Sequence, residues 1–532
     1  MRPLIASRES RKSPLVPAAL FGFAALAAWK LAGFIASGDT DSLIYALLIF
    51  IGSAITLTIL RDWRRGLYLF LAWLVFEDFA RKYLGNNMVI YFAKDVLIAI
   101  LYIGFFIELR KKRATSFRPP FFMPLVILVW FGVIQIFNPG SPHFLYGLLG
   151  AKFYFYYVPL IFLGYGLITS HKDLGRFLFL NAGLAALVAT LGIAQSVLGP
   201  AFLNPQDLGE EIRSAATLYR TSPETGQLSY RPTSLFVSTG RYADFLLLAM
   251  ITTVGSLGYF LLRRQRGYNS MLLVIALIFG AVLLSASRSA LLWGTGSVVV
   301  CILASLWGTR WRNGKLRPVL RALVRAAAGV VLGFVMLLQI FPEALSSRLS
   351  FYNETLSPGR ANSELATRAW HYPLRNFLGA FDFPRWPYGY GIGTTGAGTQ
   401  YIARILHVRP LGVGVESGYG TIVLEMGIVG LLLWLVMTSA ALISAWRVVV
   451  QLRGSPFFPI AFGVFWYALL LLFPMTFAGM QPYEDFIMNA YLWLLLGVLF
   501  KLPVLAKSTQ LSSTLLPELA ASGTGVPVAD GH

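Results

Sequence analysis

The sequence predicts an all-α, polytopic membrane protein with about 12–14 transmembrane helices. Of its 532 residues, 56% are hydrophobic and only 13% are charged, whereas an average soluble protein has about 25% charged residues. Apolar runs of about 20 residues, long enough to cross a bilayer as a helix, recur along nearly the whole chain. A β-barrel would show shorter segments of alternating hydrophobicity instead.

The predicted spans follow one another with short connections, except near two long outer loops. The first span comes after a basic, polar N-terminus and has no small-residue cleavage pattern behind it, which favours a retained helix over a signal peptide. Each end is placed to within a few residues. The spans are predicted near 16–36, 42–60, 66–80, 88–108, 120–138, 153–169, 177–199, 242–262, 269–286, 289–308, 322–341, 419–445, 458–478 and 485–503.

Four regions follow from these spans. Because a long loop without structural duty is uncommon, the large polar stretch before the last helices is expected to be functional. The C-terminal end is rich in Ser, Thr, Pro, Ala and Gly, a composition typical of disorder. The regions are an N-terminal transmembrane bundle of about eleven helices at 1–341 with an outer loop at 200–241, a large extracytoplasmic loop at 342–418, C-terminal transmembrane helices at 419–505 and a disordered cytoplasmic tail at 506–532.

The charge distribution predicts the orientation. The net charge is +20, and most of the excess lies in alternate short loops, as orientation signals do, rather than in a surface for nucleic acid. The positive-inside bias then places both termini in the cytoplasm and the two long loops outside. Basic residues cluster at 8–12, 61–65, 110–113, 263–266 and 310–317, and acidic residues at 39–41, 207–211 and 484–485.

Arginines on the outer side are candidates for binding an anion, because a guanidinium binds phosphate oxygens in a bidentate manner. Arg288 lies at a tight turn between two apolar spans, Arg231 and Arg241 flank a short outer segment, and Arg368 and Arg375 lie in the large loop. The alternative is that these side chains snorkel at the interface or form loop salt bridges.

Two adjacent ionisable residues, Lys94 and Asp95, lie within the fourth predicted span. Charges inside a membrane are costly and are usually paired or functional. Neighbouring residues on a helix do not face each other, so we expect each of the two to have its own partner on another element.

Glu416 lies where the large loop meets a predicted span. A carboxylate in this position can cap the helix. It can also act as a general base if nearby arginines and partial burial tune its proton affinity. The pattern alone leaves both interpretations open.

Metal and ATP chemistry are not expected. The outer histidines, His143, His371 and His407, have no zinc-type spacing, and Cys301 is the only cysteine. The chain also has no phosphate-cradling Gly-Lys-Ser/Thr loop, which argues against an ATP-driven pump.

Three sequence elements resemble those of the O-antigen ligase and O-antigen polymerase superfamily of bacterial polysaccharide assembly. The resemblance is clearest from about 231 to 433. The elements are Ser285-Ala-Ser-Arg288-Ser, similar to the family's Ser-Arg-Gly/Ser turn; Arg368-Ala-Trp370 followed by Pro-Tyr-Gly-Tyr-Gly-Ile-Gly, similar to its loop arginine and Pro-x-Gly-x-Gly element; and Glu416-Ser417 followed by Gly427-x-x-Gly430.

In the third element the ligases have a histidine that activates the acceptor hydroxyl, and this chain has Glu416. Since glutamate can also accept a proton, the resemblance implies that Glu416 is the catalytic base. The substitution fits a polymerase or an exopolysaccharide enzyme better than a strict ligase.

The resemblance implies a membrane glycosyltransferase of the bacterial inner membrane that polymerises oligosaccharide repeat units carried on undecaprenyl diphosphate. Arg288 and Glu416 would be catalytic, Arg231, Arg241, Arg368 and Arg375 would bind the diphosphate or glycan, and Trp370 and His371 would contact the glycan. No cofactor or metal is implied, because the lipid diphosphate is already activated. The expected partners are the lipid-linked glycan, the bilayer and, as a candidate, a chain-length regulator.

Three alternatives remain. A ligase would transfer finished glycan to a lipid core or protein. A transporter or flippase would have ionisable residues along the bilayer midplane, whereas most unusual polar residues here cluster at one face. A non-catalytic scaffold would tolerate single arginine substitutions.

Overall fold

A computed structural model describes most of the chain. The predicted spans near 16–36 and 322–341 lie outside the described residues, apart from scattered positions in the second. The description covers 40–84, 88–112, 117–205, 218–265, 267–309, 341–357, 367–396, 398–407, 411–480 and 483–522, with scattered positions within 310–340 and 358–366.

The described chain is almost entirely helical, and its two strands form one short hairpin. The helices are α1 (Thr40–Arg61), α2 (Trp63–Leu84), α3 (Met88–Lys111), α4 (Phe122–Ile136), α5 (Phe144–Phe155), α6 (Leu160–Leu167), α7 (His171–Leu198), α8 (Thr239–Leu262), α9 (Tyr268–Leu284), α10 (Arg288–Gly308), α11 (Pro342–Leu356), α12 (Tyr372–Leu378), α13 (Thr399–Leu406), α14 (Gly418–Gln451), α15 (Phe458–Leu470) and α16 (Phe486–Ser522), and the strands are β1 (Tyr219–Thr221) and β2 (Leu228–Tyr230).

Within the described residues, 8 helices are long and apolar enough to cross a membrane, and three shorter apolar helices accompany them. The prediction of an all-α, multi-pass membrane protein is thereby confirmed, while the total of about 12–14 spans stays a prediction. The candidate spans are Val89–Lys112, Phe144–Leu167, His171–Leu198, Thr239–Leu262, Arg288–Gly308, Gly418–Gln451, Phe458–Met475 and Phe486–Ser508.

The predicted large loop and the predicted disordered tail both contain helices. The large loop at 342–418 holds α11, α12 and α13. The stretch from 506 to 522, predicted to be disordered, continues α16. The disorder prediction rested on the Ser, Thr, Pro, Ala and Gly content, but the Leu, Ala and Glu residues of this stretch are good helix formers.

The chain divides into two compact units, each with its own core. In the smaller unit Ile59, Trp63 and Phe105 are buried, and the rings of the last two meet edge to face with 5.0 Å between centroids. Arg64 and Glu108 form a half-buried ion pair at 3.2 Å in the same unit. The smaller unit comprises 1–67 and 97–108, and the larger comprises 68–96 and 109–532.

The core of the larger unit lies around α8, α15 and α16, the candidate spans with the largest buried share. Helix α8 packs against α7, α9, α10 and α15, and α16 packs along α6. The β1–β2 hairpin is antiparallel, with Tyr219 opposite Tyr230. In the chain, the hairpin directly precedes α8, and a short turn joins α9 to α10.

The charges of Lys94 and Asp95 are paired with different elements of the larger unit. Lys94 Nζ lies 3.0 Å from Glu77 Oε1 on α2, and Asp95 Oδ2 lies 2.6 Å from Lys152 Nζ on α5. Lys94 and Glu77 are almost fully buried. The expectation that each residue has its own partner is therefore confirmed.

Helix α14 is broken near its start, and the loop at 387–396 fills the break. Gly427 has φ 70° and ψ −176°, a conformation that residues with a Cβ rarely adopt. Glycine at this position therefore allows the backbone of α14 to open, so that the loop can form hydrogen bonds with the opened turn. The hydrogen bonds run from Tyr390 N to Leu424 O (2.7 Å), from Gly391 N to Glu425 O (2.9 Å) and from Ile428 N to Pro387 O (3.3 Å).

Gly427→Ala is expected to destabilise the protein by about 1–3 kcal/mol, because alanine is strained at this φ. In addition, its Cβ would lie 2.4 Å from Pro387 O. Thermal unfolding in detergent measures the effect. The matched control is Gly183→Ala on α7, where a Cβ would meet nothing within 4 Å, so equal unfolding midpoints for the two variants would contradict the assignment.

Candidate functional site

The turn between α9 and α10 presents Arg288. Ser285 Oγ donates to Val282 O at 2.7 Å, and Ser287 caps α10 by accepting from Ala290 N at 3.4 Å. Arg288, the first residue of α10, is half-buried, and its guanidinium lies 5.4 Å from the centroid of the Phe351 ring. The serines of the Ser-Ala-Ser-Arg element therefore form the turn and leave the arginine at its tip.

Arg231 directly follows β2 and lies close to Arg288. Its backbone N donates to Leu218 O at 2.8 Å, and its side chain is buried. Burial, together with the guanidiniums of Arg220 and Arg288, lowers the pKa of Arg231 to about 10. The structure thus brings two predicted site residues together and adds Arg220 of β1 to the cluster, which we call the arginine cluster.

Arg348 on α11 lies beside the arginine cluster. It is only 2% exposed, and it donates to the backbone carbonyls of Leu284 and Tyr230. Sequence analysis did not single it out, although a signal exists. The buried residues Leu345, Arg348, Tyr352 and Thr355 recur at helical spacing, so an arginine occupies the inward stripe of an amphipathic helix.

Arg241 has different neighbours. Its Nη1 lies 2.6 Å from Asp78 Oδ2 and its Nε lies 3.1 Å from Asp485 Oδ2, and its guanidinium lies over the Phe486 ring. Two carboxylates already compensate its charge. Of the predicted diphosphate ligands, Arg241 therefore belongs to an ion-pair network with two carboxylates.

Glu416 is exposed at the end of the large loop, and the hydroxyl of Tyr372 donates to its Oε2. The cap of α14 is the next residue, since Ser417 Oγ accepts from Gly420 N at 3.3 Å. The interpretation of Glu416 as the helix cap is therefore wrong. The hydroxyl of Ser417, one residue later, caps the helix, so the carboxylate of Glu416 is not needed for capping.

A polar cleft of about 670 Å³ adjoins Glu416. Tyr372, which holds the carboxylate, belongs to its wall, as does Val415, so Glu416 lies at the rim. Side chains with amide, carboxylate, guanidinium and imidazole groups can hydrogen-bond the hydroxyls of a sugar. The polar residues of the wall are His371, Tyr372, Arg375, Asn376 and Asp382.

Exposed aromatic residues lie near this cleft. Trp370 is 60% exposed and its ring centroid lies 6.0 Å from that of Phe477. Trp386 meets Phe381 edge to face at 5.2 Å. The backbone of Arg368 belongs to the π-helical turn Thr367–His371, but its side chain lies outside the described residues. The large loop therefore places His371, Arg375 and Val415 around one cleft, with Trp370 directly before His371 in the chain and Glu416 directly after Val415.

Within the part of the chain that the structure describes, no group of three or more His, Cys, Asp or Glu side chains could hold a metal ion. The arrangement instead offers two kinds of chemistry. The arginine cluster can bind an anion, and Glu416 can accept a proton from a group bound in the cleft.

Fold and site together define a multi-pass, α-helical membrane protein that combines an arginine cluster with an exposed carboxylate, Glu416, whose neighbour Val415 and partner Tyr372 line a cleft. No protein-family model matches the chain, and no curated protein is significantly similar to it.

Proposed function

We propose that the protein is a glycosyltransferase that polymerises undecaprenyl diphosphate-linked oligosaccharide repeat units at the outer face of the bacterial cytoplasmic membrane. The observation that supports this most is the bridge that Arg348 forms between Tyr230 O, directly before Arg231, and Leu284 O, at the end of the helix before the Arg288 turn. It ties together the two chain segments that carry these arginines. Concentrated guanidinium charge beside membrane-spanning helices suits a ligand whose diphosphate lies at the interface while its polyprenyl chain lies in lipid.

In the proposed reaction Glu416 removes the proton from an acceptor hydroxyl. The oxygen attacks the anomeric carbon of the donor, the bond from that carbon to the diphosphate oxygen breaks, and the proton passes from Glu416 to solvent. Arg288 and Arg231 stabilise the negative charge that builds on the departing undecaprenyl diphosphate. No metal or nucleotide is needed, because the diphosphate ester already provides a good leaving group.

Glu416 is exposed rather than partly buried, so accessibility, and not tuning by burial, supports its assignment as the base. Its carboxylate is exposed, so an acceptor can reach it, and the hydrogen bond from Tyr372 fixes one of its oxygens. The other oxygen remains for the acceptor hydroxyl. Trp370, His371 and Arg375 then contact the sugar from the cleft, where the exposed indole provides a stacking surface.

Both termini are proposed to be cytoplasmic, with a chain-length regulator as a candidate partner in the membrane. The alternative is a ligase that transfers finished glycan to a lipid core or protein, which the ligase-like pattern of Glu416-Ser417 and Gly427-x-x-Gly430 favours. The product separates the two functions. A deletion strain lacks high polymer if the protein is a polymerase, and accumulates unmodified acceptor if it is a ligase.

Glu416→Gln is expected to slow polymer formation by about 10²–10⁴-fold, because glutamine keeps the shape of the side chain but cannot accept the proton. The assay uses protein in lipid nanodiscs and undecaprenyl diphosphate-linked repeat units extracted from the producing cells, with polymer length read on a gel. Binding of undecaprenyl diphosphate itself should be retained.

Two controls accompany this variant. Glu343→Gln makes the same chemical change at an exposed carboxylate in the first turn of α11 and should leave the rate unchanged. Ser417→Ala removes the cap of α14, which costs about 1 kcal/mol of stability without removing the base. Wild-type polymerisation by Glu416→Gln would exclude the role of a base.

A further inference from the structure

Arg348 joins the two chain segments that carry the arginine cluster. Its Nε donates to Leu284 O at 2.8 Å, and its Nη2 donates to Tyr230 O at 3.0 Å. Leu284 is the last residue of α9, just before the turn that presents Arg288, and Tyr230 immediately precedes Arg231. One buried guanidinium therefore spans the gap between the two segments.

Helix α11 makes further contacts with the same two segments. On the hairpin side, Ser229 Oγ donates to Ser347 O at 3.0 Å. On the α9 side, the hydroxyl of Tyr352 donates to the carbonyls of Val282 and Leu283, each at 3.3 Å. Helix α11 thus contacts β2 with one part of its inward stripe and the end of α9 with another.

The tip of the hairpin is held by a carboxylate of α11. Glu354 accepts from Glu224 N at 2.9 Å, from Thr225 Oγ1 at 3.0 Å and from Ser350 Oγ at 2.8 Å. Burial alone would raise the pKa of Glu354, but these hydrogen bonds outweigh it and lower the pKa below its ordinary value of 4.5. The group is therefore ionised at neutral pH, and charge-assisted hydrogen bonds anchor the hairpin that carries Arg220.

A clamp at this point has a physical purpose. Arg220, Arg231 and Arg288 carry like charges, which repel each other, so the cluster keeps its spacing only if the backbone segments behind it are tied together. A guanidinium suits this task because its donors have a fixed fork geometry that can reach two separate carbonyls. The single ammonium of lysine cannot reproduce that geometry.

We propose that Arg348 is a positioning residue, which together with Glu354 makes α11 a clamp that sets the spacing of Arg231 and Arg288 for a diphosphate. The inference rests on the proposed function, since it assigns the cluster to that ligand. Arg348 acts through the backbone carbonyls of Leu284 and Tyr230 rather than by contact with the reacting atoms.

The test is the binding of undecaprenyl diphosphate to protein in lipid nanodiscs, measured with Arg348→Lys. The variant keeps the charge but loses the two-carbonyl bridge, and affinity should fall about 10–100-fold, as for other residues that orient ligand-binding groups. In the Arg288→Ala background, Arg348→Lys should lower the affinity by a smaller factor than in the wild type, because part of its effect is exerted through Arg288. Arg453→Lys, at a different helix junction, is the matched control.

Glu354→Gln tests the other half of the clamp and is the deciding variant if Arg348→Lys does not fold. It weakens the anchor of the hairpin tip while Arg348 stays in place, and its affinity should fall in the same direction by less. Wild-type affinity in the folded Arg348→Lys variant would overturn the inference. If that variant does not fold, wild-type affinity in Glu354→Gln would overturn it instead. In either case, a loss of affinity in Arg288→Ala would leave the proposed function standing. If Arg288→Ala also binds normally, the proposed diphosphate site itself is wrong.

Discussion

Arg288→Ala is expected to lower the rate of polymer formation by about 10³–10⁵-fold, the range by which an arginine that stabilises a phosphate leaving-group charge accelerates phosphoryl transfer. The residue lies at the tip of a turn built by Ser285 and Ser287, beside Arg231. Its loss would remove one cation from the proposed diphosphate site. The reaction would then slow even at saturating donor, since the missing interaction strengthens in the transition state.

The measurement is the single-turnover rate in nanodiscs with the extracted lipid-linked repeat units. Arg288→Lys should recover part of the rate, because a point charge remains but the bidentate geometry is lost. Arg453→Ala is the matched control. That arginine also lies over an aromatic ring, 4.0 Å from the centroid of Trp307, but follows α14 at a different helix junction. Normal polymer from correctly inserted Arg288→Ala protein would refute the role of the arginine cluster in donor chemistry.

Glu77→Met is expected to lower the free energy of unfolding by about 3–5 kcal/mol, because it leaves a buried cation without its carboxylate. Lys94 Nζ lies 3.0 Å from Glu77 and 3.6 Å from the centroid of the Tyr91 ring, and the lysine and the glutamate are at most 1% exposed. The remaining hydrogen-bond partner of the ammonium, the backbone carbonyl of Tyr91, carries no compensating charge.

The double variant Glu77→Met/Lys94→Met should recover most of the lost stability, since a buried ion pair can often be replaced by apolar groups of similar volume. Glu108→Met is the control, because its pair with Arg64 is more exposed and such a pair contributes about 0–1 kcal/mol. Unfolding in SDS titrations gives the comparison. A loss in Glu77→Met no larger than in Glu108→Met would show that Lys94 does not depend on this carboxylate.

Much of the fold could be predicted because hydrophobic run length is a local property. The spans near 242–262 and 289–308 correspond to α8 and α10 within a few residues, and the span near 177–199 corresponds to α7 except that the helix begins six residues earlier. The span near 153–169 was predicted with less success. It begins earlier, at Phe144, because aromatic and small residues continue the apolar stretch, and the break between α5 and α6 at 156–159 has no signal in hydropathy.

Parts of the candidate site could also be predicted from residue type and context. The residues that form the turn at Arg288 are neighbours in sequence. Trp370, His371, Arg375 and Glu416 all belong to the same loop, 342–418. The role of the cap could not be predicted, since Glu416 and Ser417 are both suitable cap residues. Only the backbone geometry at the start of α14 shows that the serine hydroxyl faces the free N–H groups.

The sequence by itself determined the class of protein, the candidate cations and the need of Lys94 and Asp95 for separate partners, because the cost of burying apolar or charged groups in a bilayer depends on the residues alone. The tertiary structure decided which charges meet. It brings the charges of Arg231 and Arg288 within interaction range and pairs Arg241 with Asp78 and Asp485. It also bonds Arg348 to the backbone of the segments that carry the cluster. Such pairings depend on how distant helices pack, and an arginine carries the same charge and reach wherever it stands in the sequence.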